Sequence, residues 1–367
     1  MAKAKIGIVD YPRKKSKAHP ILPPPKNPVP KKKWIGRPKI LAIADVEGWT
    51  GWRKMLETKK HLSDQFDITI TTIKDIQKKY RELEENGIKQ HITRVRKLGL
   101  HNKYDLLYFY LHTSLHSGFA RDLIREAYLK GRRTIAIVTQ KVILKKHWGA
   151  TQELKELKFK IISPYIDAYL INNLLVKPDL ERLWDGSIYY VPEGIDLNLF
   201  RPLRYDIGEE FIAAYAGKPA KEKGLEPIIR PACERAKVKL ITNTNNYLTA
   251  IPYEKMVNFY NRANVYIVAS RVDGGPNPAL EAAACGRPII SNAIGNMPEL
   301  IKNGVNGYIV RCDIDEYIEK LVELKNSPER AREMGEQSRK IMEREWSWKH
   351  VLNTYERPAL WEILKGK

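Results

Sequence analysis

The sequence predicts an α/β protein built as two doubly wound parallel sheets in tandem. Three observations lead there. The chain has 367 residues, enough for two ordinary domains. From residue 39 onward, short apolar or alternating runs of strand type recur between helical stretches, the pattern of parallel strands joined by crossover helices. The series also restarts, one set of runs ending near residue 195 and a second opening at residue 211.

Taken in order, residues 1–38 come first. Within RKKSKAHPILPPPKNPVPKKKWIGRP (13–38), proline and lysine dominate and core-forming residues are few, so 1–38 is expected to be a basic, Pro-rich, semi-rigid arm. KIGIVDY (5–11) has the pattern of a short edge strand. A first domain is expected over 39–200, with strands in KILAIAD (39–45), FDITITTI (66–73), YDLLYFYLH (104–112), TIAIVT (134–139), IDAYLINN (166–173) and IYYVPEGI (188–195). After the first strand comes VEGWTGW (46–52), a loop containing Gly48 and Gly51, with a helix expected from about Arg53. A second domain over 201–345 has strands in FIAAYAGK (211–218), KVKLITN (237–243), NVYIVAS (264–270), RPIIS (287–291) and GYIVR (307–311). The tail, 346–367, is amphipathic and predicts a terminal helix pair broken near Pro358.

The chemistry concentrates in VASRVDGGPNPALEAAACGRPIISNAIGNMPELIKNGVNGYIV (268–310). A strand ends at Ser270, and Gly274 and Gly275 permit a turn that other residues resist. Asn277 suits an N-cap, Pro278 the first helical position and Gly286 a stop about two turns later. A helix begun this way at the end of a parallel strand presents free amides and the positive end of its dipole, the usual means of holding a phosphate. Asp273 before the turn and Glu281 in the first helical turn flank that position. Such carboxylates suit hydrogen bonds from sugar and ribose hydroxyls; a capping aspartate and a solvated helical glutamate are the alternative.

This segment resembles the C-terminal signature of glycosyltransferase family 4. Asp273 and Glu281 match two acidic positions separated by seven residues, AAACG (282–286) matches a small-residue run, and GNMPELIKNGVNGYIV (295–310) matches the following Gly, Pro and Glu pattern. AYAGKPAKEKG (214–224) resembles the strand and loop that open the family's donor domain, with Lys218 where an arginine is common and Lys223 before Gly224. Residues 190–202 resemble its interdomain segment and 346–355 its returning helix, so the likeness spans 39–357. The resemblance implies a GT-B fold, two Rossmann-like domains facing a cleft, with a nucleotide sugar held mainly by the second domain and transferred with retention of configuration.

By that resemblance Asp273 contacts the donor sugar and Glu281 the ribose, with Gly48, Gly51, Gly275, Asn277, Ala279 and Leu280 completing the donor site. Lys218 and Lys223 are assigned to the charge of the leaving diphosphate; an exposed lysine-rich loop is the alternative. His112, at the end of its strand, falls where many members place a histidine near the donor sugar, and His116 competes for that role. A plain strand-to-helix turn accounts equally for Gly48 and Gly51. Two departures stand out: Asp at 273 where Glu is commoner, and prolines at 276 and 278 that remove two amide donors.

Other chemistries fit less well. Cys233, Cys285 and Cys312 are scattered and no His cluster has ligand spacing, so neither a disulfide framework nor a zinc site is expected. Asp313 and Asp315 form a D-x-D triplet, a metal motif in the other large glycosyltransferase fold. Between a strand and a helix it is expected instead to supply a capping box from Asp313 and Glu316, and no metal or other cofactor is expected. GWTGW lacks the G-x-G-x-x-G spacing of dinucleotide-binding oxidoreductases. No run approaches about 18 apolar residues, and residues 1–15 lack the apolar core of a secretory signal, so a cytoplasmic protein, at most peripheral to a membrane, is expected.

Charge adds a statement about partners. Residues 1–150 hold 33 Lys and Arg against 13 Asp and Glu, whereas residues 151–367 hold 31 against 30, so nearly the whole net charge of +21 lies in the first part. A one-sided basic field fits a polyanionic partner; a lysine-rich solvated surface is the alternative. The expected partners are therefore a nucleotide sugar and a polyanionic acceptor. DNA carrying hydroxymethylated bases, of the kind some phage enzymes modify, stands ahead of an anionic lipid or lipid-linked glycan, because no long amphipathic helix with a broad apolar face is visible. KVILKKHW (141–148) mixes apolar and cationic residues and suits the membrane alternative. A non-catalytic nucleic-acid-binding protein on the same scaffold is the reading from another class, and the acidic pair with its two lysines argues against it.

Overall fold

Eleven strands form in the computed structural model, which describes residues 36–110, 118–139, 156, 159–203, 210–244 and 251–366. The segments 5–11 and 141–148, and nearly all of the arm, lie outside the described residues. The first sheet contains β1 (Lys39–Ala44), β2 (Asp67–Thr72), β3 (Leu106–Phe109), β4 (Arg133–Val138), β5 (Ala168–Ile171) and β6 (Ser187–Tyr190), in the order β2-β1-β3-β4-β5-β6. The second contains β7 (Ile212–Gly217), β8 (Lys239–Thr244), β9 (Val265–Val268), β10 (Ile289–Asn292) and β11 (Gly307–Val310), in the order β11-β10-β9-β7-β8. Every pairing is parallel. Each strand falls on one of the eleven runs read from the sequence.

Burial explains why those runs were legible. The central strands LLYF (β3), AYLI (β5) and VYIV (β9) are buried at every residue, because helices cover both faces of a parallel sheet and leave no polar alternation. The edge strand DITITT (β2) is exposed or half-buried at several positions and reads as alternating. Both orders reverse once, between β1 and β3 and between β7 and β9. At such switch points the loops leaving the strand ends diverge and open a crevice, where doubly wound sheets bind ligands.

The chain crosses between the sheets twice, side by side: Ile195 N donates to Trp346 O at 2.8 Å. Beyond that crossing the tail packs on the first sheet, burying Leu352, Ala359, Leu360 and Ile363 with Ile40, Met55, Leu62 and Phe66. The expected break near Pro358 is a widened π turn, Leu352–Glu356, running straight into the helix Arg357–Lys365. Pro358 has no N–H and its ring crowds the carbonyl four residues back, so the backbone loosens there without separating into two helices. No described helix is long and apolar enough to cross a membrane.

Two local expectations are corrected. The first helix starts at Thr50, with Trp49 flanking it, three residues before Arg53. The Asp313–Glu316 capping box does not form. Asp313 Oδ1 accepts from Asp315 N at 2.9 Å, but Glu316 turns away to Arg311, whose backbone N–H it accepts at 2.6 Å and whose guanidinium it pairs with. A charged partner outside the helix outcompetes the neutral amide of the cap.

Candidate functional site

The loop leaving β9 at the second switch point leads into the helix Asn277–Ala284. That helix stops as expected: Gly286 has φ +72°, its N–H reaches Ala283 O at 3.0 Å, and Arg287 N reaches Ala282 O at 3.0 Å, the paired bonds of a Schellman cap. Its start differs from expectation. Pro276 is the flanking residue and Asn277 is already helical, with no side-chain cap. Asn277 N donates to Gly275 O at 2.9 Å and Ala279 N to Pro276 O at 2.8 Å. Since Pro276 and Pro278 carry no N–H, none of the amides at 276–279 is free for an anion. These four positions therefore supply no free amide for the expected phosphate grip.

The cation is nearby. A tight turn, Lys221–Lys223, ends at Gly224 with φ +77°, where a Cβ would stand 2.2 Å from Ala269 O. Only glycine allows that approach, which brings Lys223 onto the end of β9. Lys223 Nζ donates to Asp273 Oδ2 at 2.6 Å and to Val272 O at 3.1 Å, while Asp273 Oδ1 accepts from Gly275 N at 3.2 Å. Two residues expected to act on different parts of a donor are thus joined as an ion pair. Lys218 lies at the end of β7, its Nζ 5.4 Å from the centre of the Trp49 ring in the first domain.

Glu281 sits in the second turn of its helix, not the first, and is 7% exposed, which excludes a solvated helical glutamate. Tyr260 OH donates to Glu281 Oε2 at 2.5 Å. Burial lifts the Glu281 carboxyl to about 7, against the opposing pull of the Tyr260 hydrogen bond and the Arg53 charge. Arg53 belongs to the first helix of the other domain, and its guanidinium lies 3.4 Å from the centre of the Tyr253 ring. Asn277 Nδ2 donates to Thr50 Oγ1 at 3.3 Å, and Asn173 Nδ2 to Gly274 O at 2.8 Å. The two switch points therefore face each other across a cleft bridged by polar side chains.

Asp273, Lys223, Gly275 and Asn277 gather at the end of β9 and Glu281 lies buried one turn further on, whereas Ala279 and Leu280 are fully buried in the core of the second domain. Gly48 has φ +78° with open space around it. Gly51 is packed: a Cβ there would stand 2.3 Å from Tyr110 Cδ1. His112 and His116 lie outside the described residues. Sequence reasoning passed over Tyr260, Tyr253, Arg53, Thr50, Asn172 and Asn173. Thr50 and Arg53 had a signal, since they open the helix directly after the first switch-point loop. Tyr260 had none, because only the strand order places its helix beside Glu281.

The family model for group 1 glycosyl transferases matches residues 223–341, which span the Lys223–Asp273 pair and Glu281. That stretch, within the second domain, is similar to the family. Among curated proteins, the chain is similar to the GDP-mannose-dependent monoacylated alpha-(1-6)-phosphatidylinositol monomannoside mannosyltransferase of Corynebacterium glutamicum, at 30% identity over 29% of this chain and 30% of that protein. It is also similar to the MMP alpha-(1->4)-mannosyltransferase of Mycolicibacterium hassiacum, at 24% identity over 66% of this chain and 63% of that one. These matches span less than two thirds of the relatives' length. The fold is that of Anabaena HepE, solved in complex with UDP and glucose, with a TM-score of 0.67 at 13% identity over 89% of this chain and 100% of that one. The architecture is GT-B.

Proposed function

We propose that this chain transfers a sugar, with retention of configuration, from a nucleotide sugar to a hydroxyl of a polyanionic acceptor. The observation that carries this reading is the buried Glu281, held by Tyr260 at the second switch point beside the Lys223–Asp273 pair. A buried carboxylate with a raised pKa in a crevice is suited to hydroxyls, here those of the ribose. Asp273 holds a hydroxyl of the sugar, and Lys223 and Lys218 meet the negative charge that grows on the diphosphate. In the transfer, the bond from the anomeric carbon to the phosphate oxygen breaks and a bond to the acceptor oxygen forms on the same face. The acceptor's proton goes to the departing phosphate oxygen. Positioning and electrostatic stabilisation supply the rate enhancement.

The acceptor side rests on charge. The support is the charge of the first part as a whole and not the helix Ile73–Glu85, where the exposed Lys74, Lys78, Lys79 and Arg81 are balanced by Asp75, Glu82, Glu84 and Glu85. A basic field of this kind fits a phosphate backbone, and DNA with hydroxymethylated bases remains the favoured acceptor. A lipid-linked acceptor is the second reading, supported by the phosphatidylinositol mannoside in the name of the Corynebacterium relative.

Two experiments test this. Lys223→Ala should lower transfer by about 100-fold or more, the scale of losing one charge-stabilising donor; turnover within a few-fold of wild type removes the lysine's assignment. Filter binding with DNA and with anionic liposomes at two salt concentrations separates the acceptors. Tight, salt-sensitive DNA binding supports the first, and liposome binding without DNA binding ends it.

A further inference from the structure

Three loops meet beneath Gly275. One leaves β5 with Asn172 and Asn173, one leaves β9 with Asp273 and Gly274, and one leaves β10 with Gly295 and Asn296. Their packing is tight: Gly295 has φ +53°, and a Cβ there would stand 2.9 Å from Gly275 N. A Cβ on Gly275 would lie 3.2 Å from Asn172 Nδ2 and 3.4 Å from Asn296 Nδ2, so the two carboxamides flank this glycine from opposite domains.

Asn296 is unusual in what it does not do. It is fully buried, and neither its Oδ1 nor its Nδ2 has a hydrogen-bond partner. Asparagine at a helix start normally caps with its side chain. Here the short helix Met297–Leu300 begins at Asn296 with no side-chain cap, and it is the Asn296 backbone oxygen that accepts from Leu300 N at 3.1 Å. The fold uses the backbone of this residue and leaves its amide idle. A buried side chain with both a donor and an acceptor unmet is costly in the empty protein. The natural complement is a hydroxyl, which donates and accepts at once. Asn172 prepares the opposite side, its Oδ1 accepting from Asn173 Nδ2 at 2.9 Å while Asn173 also holds Gly274 O.

We propose that Asn296, with Asn172 across the cleft, takes one hydroxyl of the donor's sugar ring between its free Oδ1 and Nδ2 and thereby selects which sugar is accepted. This rests on the nucleotide-sugar reading above and adds to it a residue that reads the sugar. Asp273 is acceptor-only and already receives bonds from Lys223 and Gly275 N, so a carboxamide that can also donate adds a constraint that the carboxylate does not. A carboxamide that must both donate and accept rejects a sugar whose hydroxyl points elsewhere, since both of its groups then stay unpaired.

The test is calorimetric titration of the full chain with UDP, UDP-glucose, UDP-galactose, GDP and GDP-mannose, on wild type, Asn296→Leu and Asn296→Ala. Wild type should bind one nucleotide sugar more tightly than its epimer and than the bare nucleoside diphosphate. In the variants that preference should shrink by about 10-fold or more, with diphosphate affinity within about two-fold and a thermal midpoint no lower than wild type. The alanine variant serves if leucine does not fit. Unchanged sugar preference, or a midpoint lowered with preference intact, overturns the proposal and makes Asn296 structural. No binding of any sugar or diphosphate by wild type would instead sink the donor reading itself, and the inference with it.

Discussion

Substitution of Glu193 should stabilise this protein at alkaline pH. Glu193 follows β6 near the crossing to the second sheet, is 2% exposed, and neither carboxyl oxygen has a hydrogen-bond partner. Lys54 and Glu356, themselves buried and paired at 2.8 Å, face it with opposite effects, and the tyrosines Tyr108 and Tyr110 feel its charge. Burial dominates and lifts the Glu193 carboxyl from 4.5 to about 7. In the unfolded chain the proton leaves near pH 4.5, whereas the folded protein keeps it until about pH 7. Between those values the folded state binds more protons, so stability contributed by the protonated group is complete below pH 4.5 and is lost as pH rises through 7. A displacement of that size corresponds to about 3 kcal/mol. Glu193→Gln keeps the shape of the neutral acid and removes the titration. It should melt with wild type at pH 4.5 and above it at pH 8, by about 4 °C for a cooperative unit of this length. Glu281 also titrates near 7 but is present in both proteins, so the difference isolates Glu193. Thermal melts from pH 4.5 to 8.5 decide the matter. A variant less stable than wild type at pH 8 would mean that the carboxylate is ionised and usefully paired.

Other expectations follow from the same geometry. Lys54→Met leaves Glu356 buried without its cation, beside Thr58 Oγ1 at 2.9 Å, and should cost roughly 3–5 kcal/mol. Denaturant melts should show most of that recovered in the Lys54→Met/Glu356→Leu double variant. Gly51→Ala drives a methyl into the Tyr110 ring and should lower stability by roughly 1–3 kcal/mol, measured the same way. Arg53→Ala removes a cation that holds the Glu281 pKa down, so the Glu281 carboxyl should move above about 7 and the pH at which nucleotide binding reaches its plateau should move up with it. An unchanged plateau would separate Arg53 from Glu281.

The fold was legible because burial of both sheet faces writes each strand as an apolar run, and LLYF and AYLI needed no further context. The Gly286 stop was legible because a left-handed position after a helix is a local property of one residue. The helix start at 277 was misread because the bonds that use up its amides, from Asn277 to Gly275 and from Ala279 to Pro276, depend on a turn that prolines 276 and 278 shape jointly. The Asp313 box was misread because Arg311 competes for Glu316. Tyr260 and Asn296 were invisible, since only the strand order brings their surroundings together. Motif residues could be found by spacing, whereas the residues that complete them required the topology.

The facing switch points are proposed to hold a nucleotide sugar with Glu281 against the ribose. Titration of the full chain at pH 8 with a panel of UDP-, GDP- and ADP-sugars, on wild type and Glu281→Gln, tests it most directly. The prediction is saturable binding of one molecule per chain for at least one donor, weakened by about 10-fold or more in the variant. No saturable binding across the panel, or binding unchanged by Glu281→Gln, would contradict it.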